Sequence, residues 1–197
     1  AGLDGADLLV VHHGLFWSGA QPIVGGLREK LKTALDANLA IYSAHIPLDV
    51  HPVLGNNARL AEELGFDGVT PFFDWKGIQL GMRAEINLDR DMLAARVATV
   101  TGAPVHVCPG GPLRVRSVGI ITGGAGSEIA AIAATGVDTF ITGEGPHWSY
   151  TAAEELGLNL IYGGHYATET FGVKALAAKI GTDFGMPWEF IDHPTGL

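Results

Sequence analysis

Cysteine is almost missing: Cys108 is the only one in 197 residues. A lone thiol cannot close an internal disulfide, so burial must hold the fold, and a reducing, cytoplasmic location is expected. Long apolar runs are missing as well. None reaches the roughly 18 residues that a membrane span needs, and no membrane partner is expected. Positive charge is scarce, with 12 Lys and Arg against 21 Asp and Glu, a net −9. That balance removes the main attraction for phosphate backbones and anionic lipid, which argues against nucleic acid as a partner. Charged residues of both signs make up only 17% of the chain and apolar residues 47%, a balance that excludes general disorder. No signal-peptide pattern is present. Ala1 is not a Met and a strand is expected by about residue 7, so further sequence is expected ahead of it. The length suits one large domain or two small interlocked ones.

What is present alternates. Apolar runs rich in branched residues at 7–12, 39–44, 115–122, 138–142 and 158–162 read as buried parallel strands. Stretches with a 3.6-residue period read as helices. One covers 26–37, through Leu27, Leu31, Ala34 and Leu35, and another covers 56–64, with Asn56 or Asn57 as cap and Gly65 as stop. Further helices are expected at 128–135, 148–156 and 172–180, and a last strand at 187–191. Pro47 argues for a loop over 45–49. From 69 to 116 the pattern is less regular, with strands at 69–75, 78–86 and 104–107 and a helix at 91–100. This middle part reads as a connecting or capping segment. The expected class is α/β: two similar interlocked βαβα lobes with mixed sheets flanked by helices. The lobes span 1–68 and 117–197, with 69–116 connecting them into one structural unit.

The two lobes share phrases. Asp7-Leu-Leu-Val-Val-His12-His13 resembles Asp138-Thr-Phe-Ile-Thr-Gly143-Glu144. Asn38-Leu-Ala-Ile-Tyr-Ser-Ala-His45 resembles Asn159-Leu-Ile-Tyr-Gly-Gly-His165 with one residue dropped. In both lobes the order is strand, loop, helix, strand, His-x-x-x-acid, helix, which is the pattern of a duplicated βαβα unit with a site between its halves.

Five of the eight histidines, His12, His13, His45, His51 and His165, lie at or near expected strand ends. Open α/β sheets hold ligands at the C-terminal edge of their strands. Neighbouring residues of a regular strand point to opposite faces, so His12 and His13 share one centre only where the strand frays, or else serve two ions side by side. Adding His45, Asp49, His165 and Glu169 gives four imidazoles and two carboxylates, about what two ions some 3.5–4 Å apart require. Without thiolate the set suits divalent Zn, Fe, Mn, Co or Ni, two ions per subunit, in a dinuclear site between the lobes. Glu144 and His147 fall near this site by the repeat and are candidate catalytic groups that move protons. His51 reads as surface or as backing for the ligands, His106 as structural and His193 as unrelated. The turn Gly123-Gly-Ala-Gly126-Ser127 either offers backbone N–H groups to an anion or is only a tight strand-to-helix connection; no Lys follows, so it is not a P-loop. Phe16, Trp17 and Trp148 either line a pocket for a flat ring or simply pack. Covalent catalysis is disfavoured, since no Ser-His-Asp order stands out and Cys108 has no basic neighbour in sequence.

The phrases VHHGLFW, YSAHIPLDVHPVLGNNARLAEELG, ITGGAGS, ITGE and GGHYATETFGVKALA resemble the Nif-three-like dinuclear-metal hexameric proteins, many of them named GTP cyclohydrolase 1 type 2 homologues. The resemblance runs from Ala6 to the closing FIDHPTGL, is weak over 69–116, and lacks the N-terminal strand–helix region of that family. It implies metal ligands at His12, His13, His45, Asp49, His165 and Glu169, with Glu169 as the bridge. It also implies two interlocked α/β lobes, a toroidal homohexamer with its sites facing an inner cavity, and a metal-dependent hydrolase acting on a nucleotide-like small molecule. A ring that binds metal without catalysis, or a regulatory one, is the alternative.

Overall fold

The computed structural model describes residues 5–196; residues 1–4 and 197, at the outer ends of the two expected lobes, lie outside the described residues. The chain opens with β1 (Leu8–Val11), α1 (Gly25–Asp36) and β2 (Ala40–Ser43), followed by α2 (Ile46–Val50) and α3 (Asn56–Glu63). Next come β3 (Thr70–Trp75), β4 (Ile78–Asp89), α4 (Arg90–Thr101), β5 (His106–Pro109) and β6 (Arg114–Ile120). A 3₁₀ turn (Ala125–Glu128) leads into α5 (Ile129–Ala133), β7 (Thr139–Thr142), α6 (Ser149–Leu156), β8 (Asn159–Tyr162), α7 (His165–Thr168) and α8 (Thr170–Phe184).

Two sheets result. β1 and β2 pair in parallel, Leu8 opposite Ala40. The second sheet runs β3-β4-β6-β7-β8-β5, parallel across β6, β7 and β8 and antiparallel outside them. Strands β3, β4 and β5 of the irregular middle segment are thus members of this sheet. Its core follows from period-two alternation. Ile120, Ile141 and Ile161 face Leu60 of α3, Leu64 just after it, and Leu93 and Val97 of α4, whereas Phe140 and Leu160 face Ile129 and Ile132 of α5. This is the expected mixed α/β layering. No helix among the described residues is long and apolar enough to cross a membrane.

Four local expectations change. The run at 39–44, expected as a buried strand, forms β2 with three of its four residues exposed, because its sheet has only two strands. Residues 46–50 form a helical turn instead of a loop, because Pro47 falls in its first turn, where a missing N–H costs nothing. Gly55, not an asparagine, caps α3, and Asn56 and Asn57 are fully buried. The apolar run at 187–191 joins no strand ladder. Its side chains lie on α8 instead: Phe190 sits beneath the Lys174 ammonium at 4.2 Å, and just beyond the run Asp192 accepts from the Tyr166 hydroxyl at 2.7 Å.

The two parallel strand pairs carry the same sequel. β1, α1, β2, α2, α3 in one half matches β7, α6, β8, α7, α8 in the other, and β7 pairs with β8 over four residues as β1 does with β2. Soon after each second strand comes a histidine that opens or precedes one helical turn, His45 before α2 and His165 at the start of α7.

Candidate metal centre

His12 and His13 follow directly after β1, which ends at Val11. With the ladder finished, the pair escapes the opposite-face rule of a regular strand, and their ring centroids lie 5.0 Å apart. His45 joins them, 4.7 Å from the His12 ring and 4.8 Å from that of His13. Asp49, one helical turn on, is buried and brings Oδ1 within 3.4 Å of His12 Nε2.

From the other half, His165 and Glu169 stand four residues apart across α7. Glu169 occupies the joint between α7 and α8 with φ −102° and ψ 9°, near the sparsely used bridge region where many site residues sit. Only 10% of its side chain is exposed. Its two oxygens divide the histidines. Oε1 lies 3.6 Å from His12 Nε2, while Oε2 lies 3.4 Å from His13 Nε2 and 3.1 Å from His165 Nε2. All six sequence candidates therefore converge. They form three overlapping donor groups, His12–His13–His45, His12–Asp49–Glu169 and His13–His165–Glu169, in each of which the donor atoms lie within 4.8 Å of one another.

The remaining candidates separate. Glu144 reaches the cluster, its Oε1 2.8 Å from His165 Nδ1. His147 is exposed and belongs neither to the cluster nor to the cavity beside it. His51 Nδ1 accepts from the Val53 and Leu54 amides at 3.1 and 3.0 Å, fixing the turn that enters α3. His106 is exposed on β5, its ring 5.8 Å from Tyr150. Trp17 is exposed yet packs on His45, centroid to centroid 4.0 Å. A cavity of about 830 Å³ opens beside the cluster between β1, α8 and the C-terminal segment, with Glu144, His165, Glu169, Lys174 and His193 on its wall. His193, set aside on sequence, thus borders it.

Two layers of support were hidden from sequence reasoning. The first is a buried amide network. Asn56 Nδ2 donates to Asp49 Oδ1 at 2.9 Å, and its Oδ1 accepts from the Gly172 amide of α8 at 2.7 Å. Asn57 donates to the carbonyls of Asp49 and Leu80 and accepts from the Thr122 amide. The Thr122 hydroxyl also reaches Asp49 Oδ1, at 3.3 Å. An Asn-Asn pair shortly after a His-x-x-x-Asp phrase was the available signal, but it also reads as a helix cap. The second layer is the glycine turn. A Cβ on Gly123 would stand 2.0 Å from Glu169 Oε1, and φ there is +72°, so no other residue fits without moving the carboxylate. The amides of Gly123, Ala125 and Gly126 are spent on Thr168 Oγ1, Thr142 Oγ1 and the Glu144 carbonyl. The turn is therefore a close-packed wall of the cluster, with three of its amides already bonded within the fold.

The charges respond to this crowding. For His12, burial opposes protonation, but Asp49 and Glu169 outweigh it and raise its pKa to about 9. His165 is raised to about 9 mainly by its bond to Glu169, with Glu144 helping. Burial would raise Glu169, yet His12 and His165 pull it down to about 2. His13 and His45 are pushed down, first by burial and also by the charge on His12.

The support and the charge each yield a prediction. Asn56→Ala removes one of the donors to Asp49 Oδ1 and strands the Gly172 amide, the stranded amide costing about 1–3 kcal/mol, and chemical denaturation should show the loss. A loss under about 0.5 kcal/mol would contradict the network. In metal-free protein, raised His12 and His165 contribute stability that is complete below the unfolded value of 6.5 and fades as pH climbs through about 9. Depressed His13 and His45 cost stability as pH falls below 6.5. The Glu169 contribution is complete above 4.5 and is lost as pH falls through about 2. The Tm of metal-free protein should therefore peak near pH 6.5 and decline toward 9; a rise over that interval would refute the pairing.

Known proteins resemble this chain over nearly its whole length. A 45% identical relative from Deinococcus radiodurans, named GTP cyclohydrolase 1 type 2 homolog, aligns over 98% of this chain and 74% of its own length. The solved structure of protein ybgI, described as of unknown function, is 38% identical and superposes with a TM-score of 0.90 over 98% of this chain and 78% of that one. TTHA1606 from Thermus thermophilus is 42% identical, with a TM-score of 0.87 over 97% of this chain and 76% of its own. The sequence model of one family matches residues 1–195, and the chain belongs to that family, Duf34/NIF3 (NGG1p interacting factor 3).

Proposed function

We propose that this chain is a metal-dependent hydrolase whose centre takes two divalent transition-metal ions, Zn, Fe, Mn, Co or Ni, bridged by Glu169. One observation carries the reading: Glu169 belongs to two donor groups at once, and each of its oxygens faces different histidines. His12 and Asp49 would complete one position, His13 and His165 the other, with His45 beside both. The residues fit such ions on independent grounds. His12 Nδ1 and His45 Nδ1 are buried without hydrogen-bond partners, a cost that a folded protein keeps only for a purpose. The donor set is all imidazole and carboxylate, which suits these metals.

When bound, two such ions supply Lewis acidity, bringing the pKa of a water near neutrality and polarising the bond to be broken. The chain's share is to hold the donors in place beforehand. Asn56 and Thr122 fix the Asp49 carboxylate, Gly123 confines Glu169, and Trp17 covers the His45 ring. Glu169 is nearly buried while His13 stays 43% exposed on its side chain, so access is from the His13 side and from the adjoining cavity, whose volume falls in the range of small-molecule sites. The relatives' name supports a nucleotide-like substrate, for which attack on the imidazole-ring carbon of a guanine nucleotide and phosphoester hydrolysis are the two reactions such a centre serves. Exposed His147 has no part in this reading.

Metal analysis of protein reconstituted with each of the five metals should find about two ions per chain. Glu169→Gln should weaken both positions together, each by about tenfold or more, equivalent to about 1.4 kcal/mol; loss of a single ion would remove the bridge. Turnover of a guanine nucleotide and a phosphoester panel by the loaded protein tests catalysis. Two bound ions with no rate above the metal-free control for any metal would assign a non-catalytic, metal-binding or regulatory role.

A further inference from the structure

The pairing of Glu144 Oε1 with His165 Nδ1 at 2.8 Å has a chemical consequence for the centre. The two ring nitrogens of His165 face different ways. Nε2 lies 3.1 Å from Glu169 Oε2, inside the donor cluster, and Nδ1 is occupied from outside by Glu144. His165 differs in this from its neighbours, for His12 Nδ1 and His45 Nδ1 have no partner. Glu144 is itself placed by backbone bonds. Its amide donates to the Gly123 carbonyl at 2.9 Å, and its own carbonyl accepts from Gly126, so the residue is tied at both ends to the turn that also confines Glu169.

We propose that Glu144 is a positioning residue: it accepts the Nδ1–H of His165, fixes that tautomer and ring orientation, and so aims the Nε2 lone pair at the ion shared by His13 and Glu169. The inference rests on the two-ion reading above. A carboxylate behind a ligating imidazole both selects the nitrogen that stays free for metal and makes that nitrogen a better donor, and its loss typically weakens metal binding about 10–100-fold. Because Glu144 contacts only His165 within the cluster, its effect should fall on one ion and not on the other. The role differs from that of a proton shuttle, which would change turnover and leave affinity alone.

The test compares wild type, Glu144→Ala and Glu144→Gln. Metal-free protein is titrated with cobalt(II) against a competing chelator, with the visible ligand-field spectrum recorded, and the zinc-loaded forms are examined by long-range ¹H–¹⁵N NMR of the histidine rings. The expected result is one ion weakened about 10–100-fold in Glu144→Ala with the other within about threefold of wild type. An altered cobalt spectrum should accompany the loss, together with departure of the His165 ring from a single Nδ1–H form. Glu144→Gln keeps an acceptor oxygen and should lie much nearer wild type. Nearly half of the Glu144 side chain, 47%, is exposed, so both variants should fold, and matching circular dichroism of the metal-free proteins checks this. Equal affinity for both ions and an unchanged His165 tautomer in Glu144→Ala would overturn the inference while leaving the two-ion reading intact. Absence of metal uptake by wild type would overturn both.

Discussion

Everything at this site is arranged about a carboxylate that cannot move. Glu169 is nearly buried, carries a charge, and stands where a one-turn helix breaks before a fifteen-residue one. A buried carboxylate without partners would cost several kcal/mol. Here three imidazoles share it, two on one oxygen and one on the other, and the cost is met only while the two elements that supply them and the glycine turn beside them stay in register. β1 must end at Val11, α7 must begin at His165, and the Gly123 turn must lie flat against the carboxylate, since a methyl group there has no room. The cluster thus ties the small sheet to the large one.

Asp49 is held by the same economy of parts. The Asn56 amide joins it to the first turn of α8, next to Glu169, and Asn57 joins its backbone to β4 and to the strand end at Thr122. These two asparagines cross-link four elements through groups that water cannot reach. Amides suit the task because each offers donors and an acceptor without adding charge to a cluster already crowded with ionisable groups. A charged residue in either place would bring a further desolvation cost and shift the histidines it touched.

Sequence periodicity revealed the strands and helices that carry the site, because apolar runs at β1, β2, β7 and β8 are bounded by glycine or polar residues; β7 and β8 are buried and β1 half-buried, whereas β2 is mostly exposed. The six donors were legible for the same reason: each follows a strand end, where side chains converge irrespective of the loops between. What sequence could not reveal depends on contacts between distant segments. Asn56 has the local credentials of a cap and becomes a clamp only because α8 and Asp49 arrive beside it, from 116 and 7 residues away. Gly123 looks like any turn glycine until Glu169 is placed against it. The run at 187–191 has the composition of a strand, but it packs on the face of α8 presented by Lys174. Pro47 excludes an interior helical position but not the first turn, and so concealed α2.

The internal repeat explains why two similar halves build one unsymmetrical centre. In each half the second strand is followed by a histidine and, four residues later, by an acid, and these phrases supply His45, Asp49, His165 and Glu169. The first strands diverge. One is followed by His12-His13; at the matching place the other has Gly143-Glu144. A Cβ on Gly143 would stand 2.7 Å from the His165 Cα, so no side chain fits at the position matching His12, and that half contributes no imidazole there. Glu144, matching His13, stands on the far side of His165 and meets Nδ1 instead of entering the cluster. One half therefore supplies four donors directly. The other supplies two and turns its spare carboxylate to holding one of them, which leaves Glu169 alone to span the cluster from its side.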